Sequence, residues 1–346
     1  MNFRFQDGSI EVARIHTMNI RFFLFGGILF LFGGLSGFFF YPSMKGGVVQ
    51  SEESESKQIR QIGKYAFINP LLECEVAKGS IDAYKENFHD ELEELVDDMR
   101  KRYELSEASV YFRDLNNGPA FGSNEGGEFF PASLLKVPVM MAYFRWSESE
   151  PSLLRMEITY EAPRDFGVVP TIIPQEEIVV GKTYTVAELI RRMIVHSDNQ
   201  ALGLLVAKLP IEKIQDLFTM LGVGEDVLVN SQAKLSVKEY AGFFRILFNS
   251  SYLSRDNSEK ALALLSSTDF SDALVAGVPK EISVAHKFGE AGSSNTERQL
   301  HDCGIVYFPN HPYLACIMTR GKDTDKLKQA IVDVSRFIYD KIDEQY

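Results

Sequence analysis

Cysteine is scarce. The 346 residues hold three, Cys74, Cys303 and Cys316, with no Cys-x-x-Cys pair. So few, and an odd number, do not make a disulfide framework. Cys303 and Cys316 flank a predicted turn at Phe-Pro-Asn-His-Pro-Tyr. A register centred on Asn310–His311 sets them diagonally across that hairpin, so both are expected as buried free thiols. Histidine is also sparse: six residues, none at metal-ligand spacing, so no metal and no organic cofactor is expected. Positive charge is in deficit, 36 Lys and Arg against 48 Asp and Glu, for a formal net charge of −12. That balance argues against a nucleic-acid partner, whose phosphates need Lys and Arg. No internal repeat is visible. What remains is ordinary for a globular chain, 45% hydrophobic and 24% charged, and long enough for one large domain or two small ones.

One hydrophobic run stands apart. Residues 22–41, within "RFFLFGGILFLFGGLSGFFFY", are long and apolar enough to span a bilayer as a helix. No small-x-small cleavage site follows, so an uncleaved signal anchor is expected rather than a removed leader. The alternative, a buried helix of a soluble protein, fits poorly with a terminal run that exits into polar sequence. Arg4, Arg14 and Arg21 outnumber Asp7 and Glu11, which predicts a cytoplasmic segment at 1–21 and the folded part outside the cell membrane. Met18 reads as an alternative start. Residues 42–66 hold Gly, Ser and a charge run with almost no core formers, the pattern of a flexible linker. The folded domain is expected over 67–346.

Along that domain, Phe88, Leu92, Leu95, Val96, Met99 and Tyr103 predict an amphipathic helix. "ASVYFRDL" and "GPAFGSN" predict a hairpin. "FFPASLLKVPVMMAYFRW" predicts an apolar helix entered at Pro131 and bent at Pro138. Thr185 with Glu188, and Ser236 with Glu239, open further helices as capping boxes. Gly222 closes a helix between them. "ISVAHKFGE", "DCGIVYFP" and "YLACIMTRG" are strands. A last helix carries Leu327, Ile331, Val334, Ile338 and Ile342 on one face. The order predicts an α+β fold: a five-stranded antiparallel sheet flanked by terminal helices, with an inserted all-helical lobe, preceded by one transmembrane helix.

Three short stretches carry chemistry. Ser133 and Lys136 sit at i and i+3 near a helix start, where a neutral lysine can take the proton of a serine nucleophile. The same spacing at Ser54/Lys57 and Ser231/Lys234 falls in the linker and a polar loop, with no helix to aim it. Ser197-Asp198-Asn199 lies between two apolar helical runs; it reads either as a helix cap or as a proton relay with a substrate-binding amide. In His286-Lys287-Phe288-Gly289-Glu290, at a strand end, Lys287 could anchor an anion, and Gly289 could let a substrate backbone lie close.

In this order the three resemble the penicillin-recognising serine enzymes, most closely the class A β-lactamases. "PASLLKVPV", "YTVAELIRRMIVHSDNQALGLL" and "VAHKFGEAG" are similar to that family's signature regions, and the resemblance spans roughly residues 85–345. It implies Ser133 as the acylated nucleophile, Lys136 as its base and Ser197 as a proton shuttle. It also implies Asn199, Lys287 and Gly289 as substrate-binding residues, and the backbone N–H groups of Ser133 and Glu290 as an oxyanion hole. Two departures stand out. Residues 223–235 lack the Glu-x-x-Leu-Asn that would position a deacylating water; only Glu225 and Asp226 offer carboxylates there. Phe288 stands where a Thr or Ser hydroxyl would meet a substrate carboxylate; Arg298 and Arg320 are the cations that could compensate. The expected partners are a β-lactam or a peptidoglycan stem peptide, with the membrane bound through the N-terminal helix. A penicillin-binding D,D-peptidase, a sensor module without turnover and a serine glutaminase-like amidase are the alternatives.

Overall fold

The computed structural model describes residues 65–70, 87–116, 118–165, 172–224, 233–292 and 297–346. The apolar run 22–41, residues 1–21, the linker as far as residue 64, Cys74, Ser231, Glu225 and Asp226 lie outside them. Among the described residues no helix is long and apolar enough to cross a membrane. The last two linker residues are already docked. Tyr65 Oη donates to Asp256 at 3.2 Å, and the Glu259 carboxylate accepts the backbone N–H groups of Ala66, Phe67 and Ile68.

Among the described residues the first elements are α1 (Phe88–Arg102), the hairpin β1 (Glu107–Asp114) and β2 (Ala120–Ser123), and the two-residue β3 (Glu128–Phe129). A 3₁₀ turn, Ala132–Leu135, leads into α2 (Lys136–Ser149). Then come β4 (Glu157–Thr159), β5 (Thr183–Thr185), α3 (Val186–Val195), α4 (Asn199–Val206) and α5 (Glu212–Leu221). Next are β6 (Leu235–Ser236), α6 (Val237–Phe248) and α7 (Arg255–Leu265). Three long strands, β7 (Val284–Ala291), β8 (Arg298–Val306) and β9 (Tyr313–Gly321), precede α8 (Thr324–Asp343).

Five strands form one antiparallel sheet in the order β2-β1-β9-β8-β7. Its two faces are both buried, and period-2 alternation divides its side chains between them. On one face Val110 and Phe112 of β1 meet Phe88, Leu92, Val96 and Met99 of α1 and Ile331, Val334 and Ile338 of α8. On the other, Tyr111, Cys316 and Met318 join a core with Val139 of α2 and Tyr240 and Phe244 of α6. The expected sheet, terminal helices and helical lobe are therefore all present.

Three local expectations need correction. Cys303 and Cys316 are directly opposite, with Cα atoms 4.0 Å apart, and are joined in a disulfide. Val306 pairs with Tyr313, so the turn is centred on Pro309–Asn310, one residue earlier than expected. Asn310 takes the left-handed conformation, φ 61°, that asparagine tolerates. Pro138 does not bend a long helix: α2 starts only at Lys136, and the proline lies in its first turn. The Leu134 carbonyl, which an ordinary residue at 138 would bond, instead accepts from the buried Tyr240 hydroxyl at 3.0 Å. Finally, Thr185 caps α3 through the Glu188 N–H, but the Glu188 carboxylate turns to Arg191 and Arg192, so only half a capping box forms. The Ser236/Glu239 box is complete.

Candidate active site

Ser133 is the second residue of the 3₁₀ turn. Three residues per turn eclipse i and i+3, so Lys136, the first residue of α2, projects from the same side. The preceding Ala132 has φ 48°, a strained left-handed conformation for a residue with a Cβ. Gly289 lets this turn close on β7. A Cβ there would lie 2.9 Å from both Pro131 O and Leu134 Cγ. The space over the Gly289 Cα is thus filled by the serine's own turn.

Ser197 joins α3 to α4 as a single left-handed residue, φ 56°. Asp198 caps α4 by accepting the Gln200 and Ala201 N–H groups at 2.7 and 3.0 Å, and it also accepts from Ile178 N at 3.1 Å. Cap and site thus share one tripeptide. Asp198 shapes the backbone, which frees Ser197 and Asn199 to face the lysines.

Lys136 Nζ donates to Ser197 O at 2.6 Å and Asn199 Oδ1 at 2.7 Å, and lies 3.0 Å from Ser197 Oγ. Lys287 Nζ also lies 3.0 Å from Ser197 Oγ and donates to Phe288 O at 3.0 Å. Both lysines are fully buried. Burial drives the Lys136 ammonium down to about 7, against the opposing pull of the Asp198 carboxylate. Burial, then the like charge of Lys136, holds Lys287 well below the ordinary lysine range, with Asp302 opposing.

The structure therefore brings Lys136, Ser197, Asn199 and Lys287 into one hydrogen-bonded cluster. Ser133 is half-buried, and among the described residues its hydroxyl bonds neither Lys136 nor any other partner. Lys287 sits beneath Ser197, and the Phe288 ring centroid is 3.8 Å from its ammonium. The Phe288 ring packs tilted against Phe270, centroids 4.3 Å apart, and turns into the core. Beyond Gly289, the Glu290 carboxylate accepts from Ile172 N at 3.3 Å and lies 3.9 Å from Arg298 Nη1. Arg320 is engaged elsewhere, with Glu107 at 2.8 Å and Glu128 O at 2.7 Å. The described residues contain no His, Cys, Asp and Glu grouping able to hold a metal.

Sequence reasoning missed the buried support under this cluster. His286 Nδ1 and Asp302 Oδ1 are 2.8 Å apart, and Asp302 also accepts from Leu274 N at 3.0 Å. A carboxylate leading directly into the apolar run Cys303–Val306 of β8 was the available signal.

The sheet, the lobe and this lysine–serine junction define a β-lactamase-like serine hydrolase architecture. The sequence model of the β-lactamase enzyme family matches residues 87–342, and the chain belongs to that family. Among solved structures, PBP-A aligns at 22% identity with a TM-score of 0.59, over 73% of this chain and 97% of its own. A β-lactamase from Burkholderia phymatum aligns at 20% identity and TM-score 0.63, over 74% and 99%. One from Chitinophaga pinensis aligns at 18% identity and 0.62, over 74% and 100%. At these identities the likeness is one of fold. No curated protein is matched by sequence.

Proposed function

We propose that the protein is a membrane-anchored serine acyl-hydrolase acylated at Ser133 by a β-lactam or by a peptide ending in a D-amino acid. Ser133 Oγ attacks the amide carbonyl while Lys136 takes its proton. Ser197 then passes a proton to the leaving nitrogen as the C–N bond breaks, and its own is replaced from the lysine pair. Asn199 offers its side-chain NH₂ to the substrate, because Lys136 already occupies its oxygen. The Ser133 and Glu290 N–H groups receive the developing oxyanion. The observation that carries the reading is the pair of buried lysines, both held below the ordinary lysine range, meeting at Ser197, with Lys136 one 3₁₀ turn after Ser133. A PBP-A mutant of the same fold is known as an acyl-enzyme complex with penicillin G.

The anchor in this reading is the run 22–41, with 1–21 cytoplasmic and the catalytic domain on the extracytoplasmic side. Its support is the length, apolarity and flanking arginines of that run. Protease shaving of intact cells should remove the domain and leave the anchor with the membrane.

A second reading keeps acylation but not turnover, as in a penicillin-binding D,D-peptidase or sensor. It is favoured by the missing Glu-x-x-Leu-Asn in 223–235. Intact-mass analysis of the detergent-purified full-length protein with penicillin G tests both readings. We expect one adduct per chain, absent in Ser133→Ala. An adduct that decays within minutes supports the hydrolase, and one that persists for hours supports the second reading. No adduct with any β-lactam would refute both and leave the amidase alternative.

A further inference from the structure

Two polar residues of β8, Gln299 and His301, are buried on the sheet face that carries Lys287, yet their hydrogen bonds go to neither lysine. Gln299 is 6% exposed and His301 0%. They share a strand face, and both reach the same residue of the segment leading to Ser133. Phe130 N donates to Gln299 Oε1 at 3.1 Å, and His301 Nε2 lies 3.1 Å from Phe130 O. A carbonyl only accepts, so Nε2 must carry the proton. Nδ1 is then bare or charged. It is buried and has no partner in the described structure, the environment of a neutral nitrogen. Burial, with the nearby Arg320 guanidinium, pushes the ring down to about 4 against the opposing pull of the Phe130 carbonyl, so the imidazole is neutral at physiological pH. Phe129 packs edge-on against the same ring at 5.3 Å.

Both peptide groups flanking Phe130 are thereby fixed. Pro131 follows, with its φ locked by the ring at −67°. Ala132 is left-handed, and Ser133 comes next. A left-handed alanine persists only where its surroundings over-determine it. From Phe130 to Ser133 the chain has little torsional freedom left, and the last stretch of it is strained.

We propose that Gln299 and His301 are positioning residues for Ser133, clamping Phe130 so that the strained Ala132 holds the serine on the side of the turn from which Lys136 projects. The proposal rests on Ser133 as the nucleophile. It assigns neither residue a contact with substrate. Their effect is on orientation, which acts on the acylation step and not on binding.

The test uses the full-length protein in detergent, with a fluorescent penicillin as probe. Gln299→Leu and His301→Leu should each lower the limiting acylation rate constant at least tenfold, with the concentration for half-maximal rate changed less than twofold. His301→Gln, whose amide can donate from the position of Nε2, should recover most of the rate. Thr319→Val is the control for simple destabilisation. It removes an equally buried bond, Thr319 Oγ1 to Leu300 O at 2.7 Å, away from Phe130. It should lower the melting temperature and leave the rate unchanged. Long-range ¹⁵N–¹H spectra should show His301 protonated at Nε2 alone from pH 5.5 to 8. Equal rates in wild type and His301→Leu, a Thr319→Val rate as low as the clamp variants, or an Nδ1-protonated ring would overturn the proposal. If wild type reacts with no β-lactam, the functional reading fails instead. The clamp is then judged by phosphonylation of Ser133 with a fluorophosphonate, where the same rate order supports it and equal rates overturn it.

Discussion

Lys136 and Lys287 approach a single oxygen: each ammonium nitrogen lies 3.0 Å from Ser197 Oγ. Two full positive charges cannot share so small a buried space cheaply, and both lysines are held below their ordinary range. A lysine that loses its proton near pH 7 is a usable base, whereas a solvated one is not. Acylation of Ser133 should therefore accelerate as pH rises through about 7, as the Lys136 ammonium empties. Stopped-flow rates with a fluorescent penicillin between pH 5.5 and 8.5 would show this. Lys136→Arg should be inactive across the range, since guanidinium does not deprotonate. A flat wild-type profile would remove Lys136 as the base.

The same shift has a cost in stability, and its sign follows from linkage. The folded-state pKa of Lys136, about 7, lies below the 10.5 of a free lysine. Above 10.5 the group is neutral in both states. As pH falls from 10.5 to 7, only the unfolded chain gains the proton, and the folded state loses ground by about 1.4 kcal/mol per pH unit. Lys136→Met removes this term, along with its hydrogen bonds, whose loss does not depend on pH. The stability of Lys136→Met relative to wild type should thus be greatest near pH 7 and decline steadily towards pH 10. Urea unfolding at three pH values measures it, and a pH-independent difference would contradict the shift.

Gly289→Ala tests how tightly the serine turn must close on β7. The new methyl group would meet a backbone oxygen and a buried leucine, both at 2.9 Å. The oxygen cannot move without shifting Pro131–Ser133. We expect a loss of about 1–3 kcal/mol in stability and about a hundredfold in acylation rate. A variant with wild-type acylation would show that the turn has slack.

Much of this was legible in the sequence, and for a common reason. Helices α1 and α8 are long and strongly periodic, and the three chemical stretches are local patterns whose spacing survives folding. What was not legible depends on partners distant in sequence. β4 and β5 have three residues each, too few for alternation to register, and they hold together only by pairing with one another. The clamp residues Gln299 and His301 look like ordinary polar positions until β8 is laid beside Phe130. Pro138 read as a kink because the apolar pattern does not show that a 3₁₀ turn precedes α2, which starts only at Lys136. The Cys303–Cys316 pairing turned on one residue in the centre of a turn, and that shift moves every opposing pair by two.

That disulfide should contribute to stability. It closes a loop across a 13-residue separation, and the chain-entropy estimate for a loop of that size is about 3 kcal/mol. Cys303→Ala/Cys316→Ala should unfold at correspondingly lower urea concentration. Non-reducing peptide mapping should recover the linked pair from wild type. Two free thiols in the untreated protein would contradict the pairing.

The last prediction concerns the Leu134 carbonyl, one residue beyond the nucleophile. Pro138 has no N–H to give it, so Tyr240 supplies the donor from α6 at 3.0 Å. Tyr240→Phe keeps the ring and removes only that hydroxyl, leaving a buried acceptor bare, at a cost of about 1–3 kcal/mol. In a Pro138→Ala background the alanine N–H can bond the carbonyl along the helix, so losing the tyrosine hydroxyl should then cost only a few tenths of that. A double-mutant cycle from urea unfolding isolates the coupling. Additive effects at the two positions would mean that Tyr240 does not stand in for the missing N–H. A coupling of about 1 kcal/mol would tie α6 to the turn that carries Ser133.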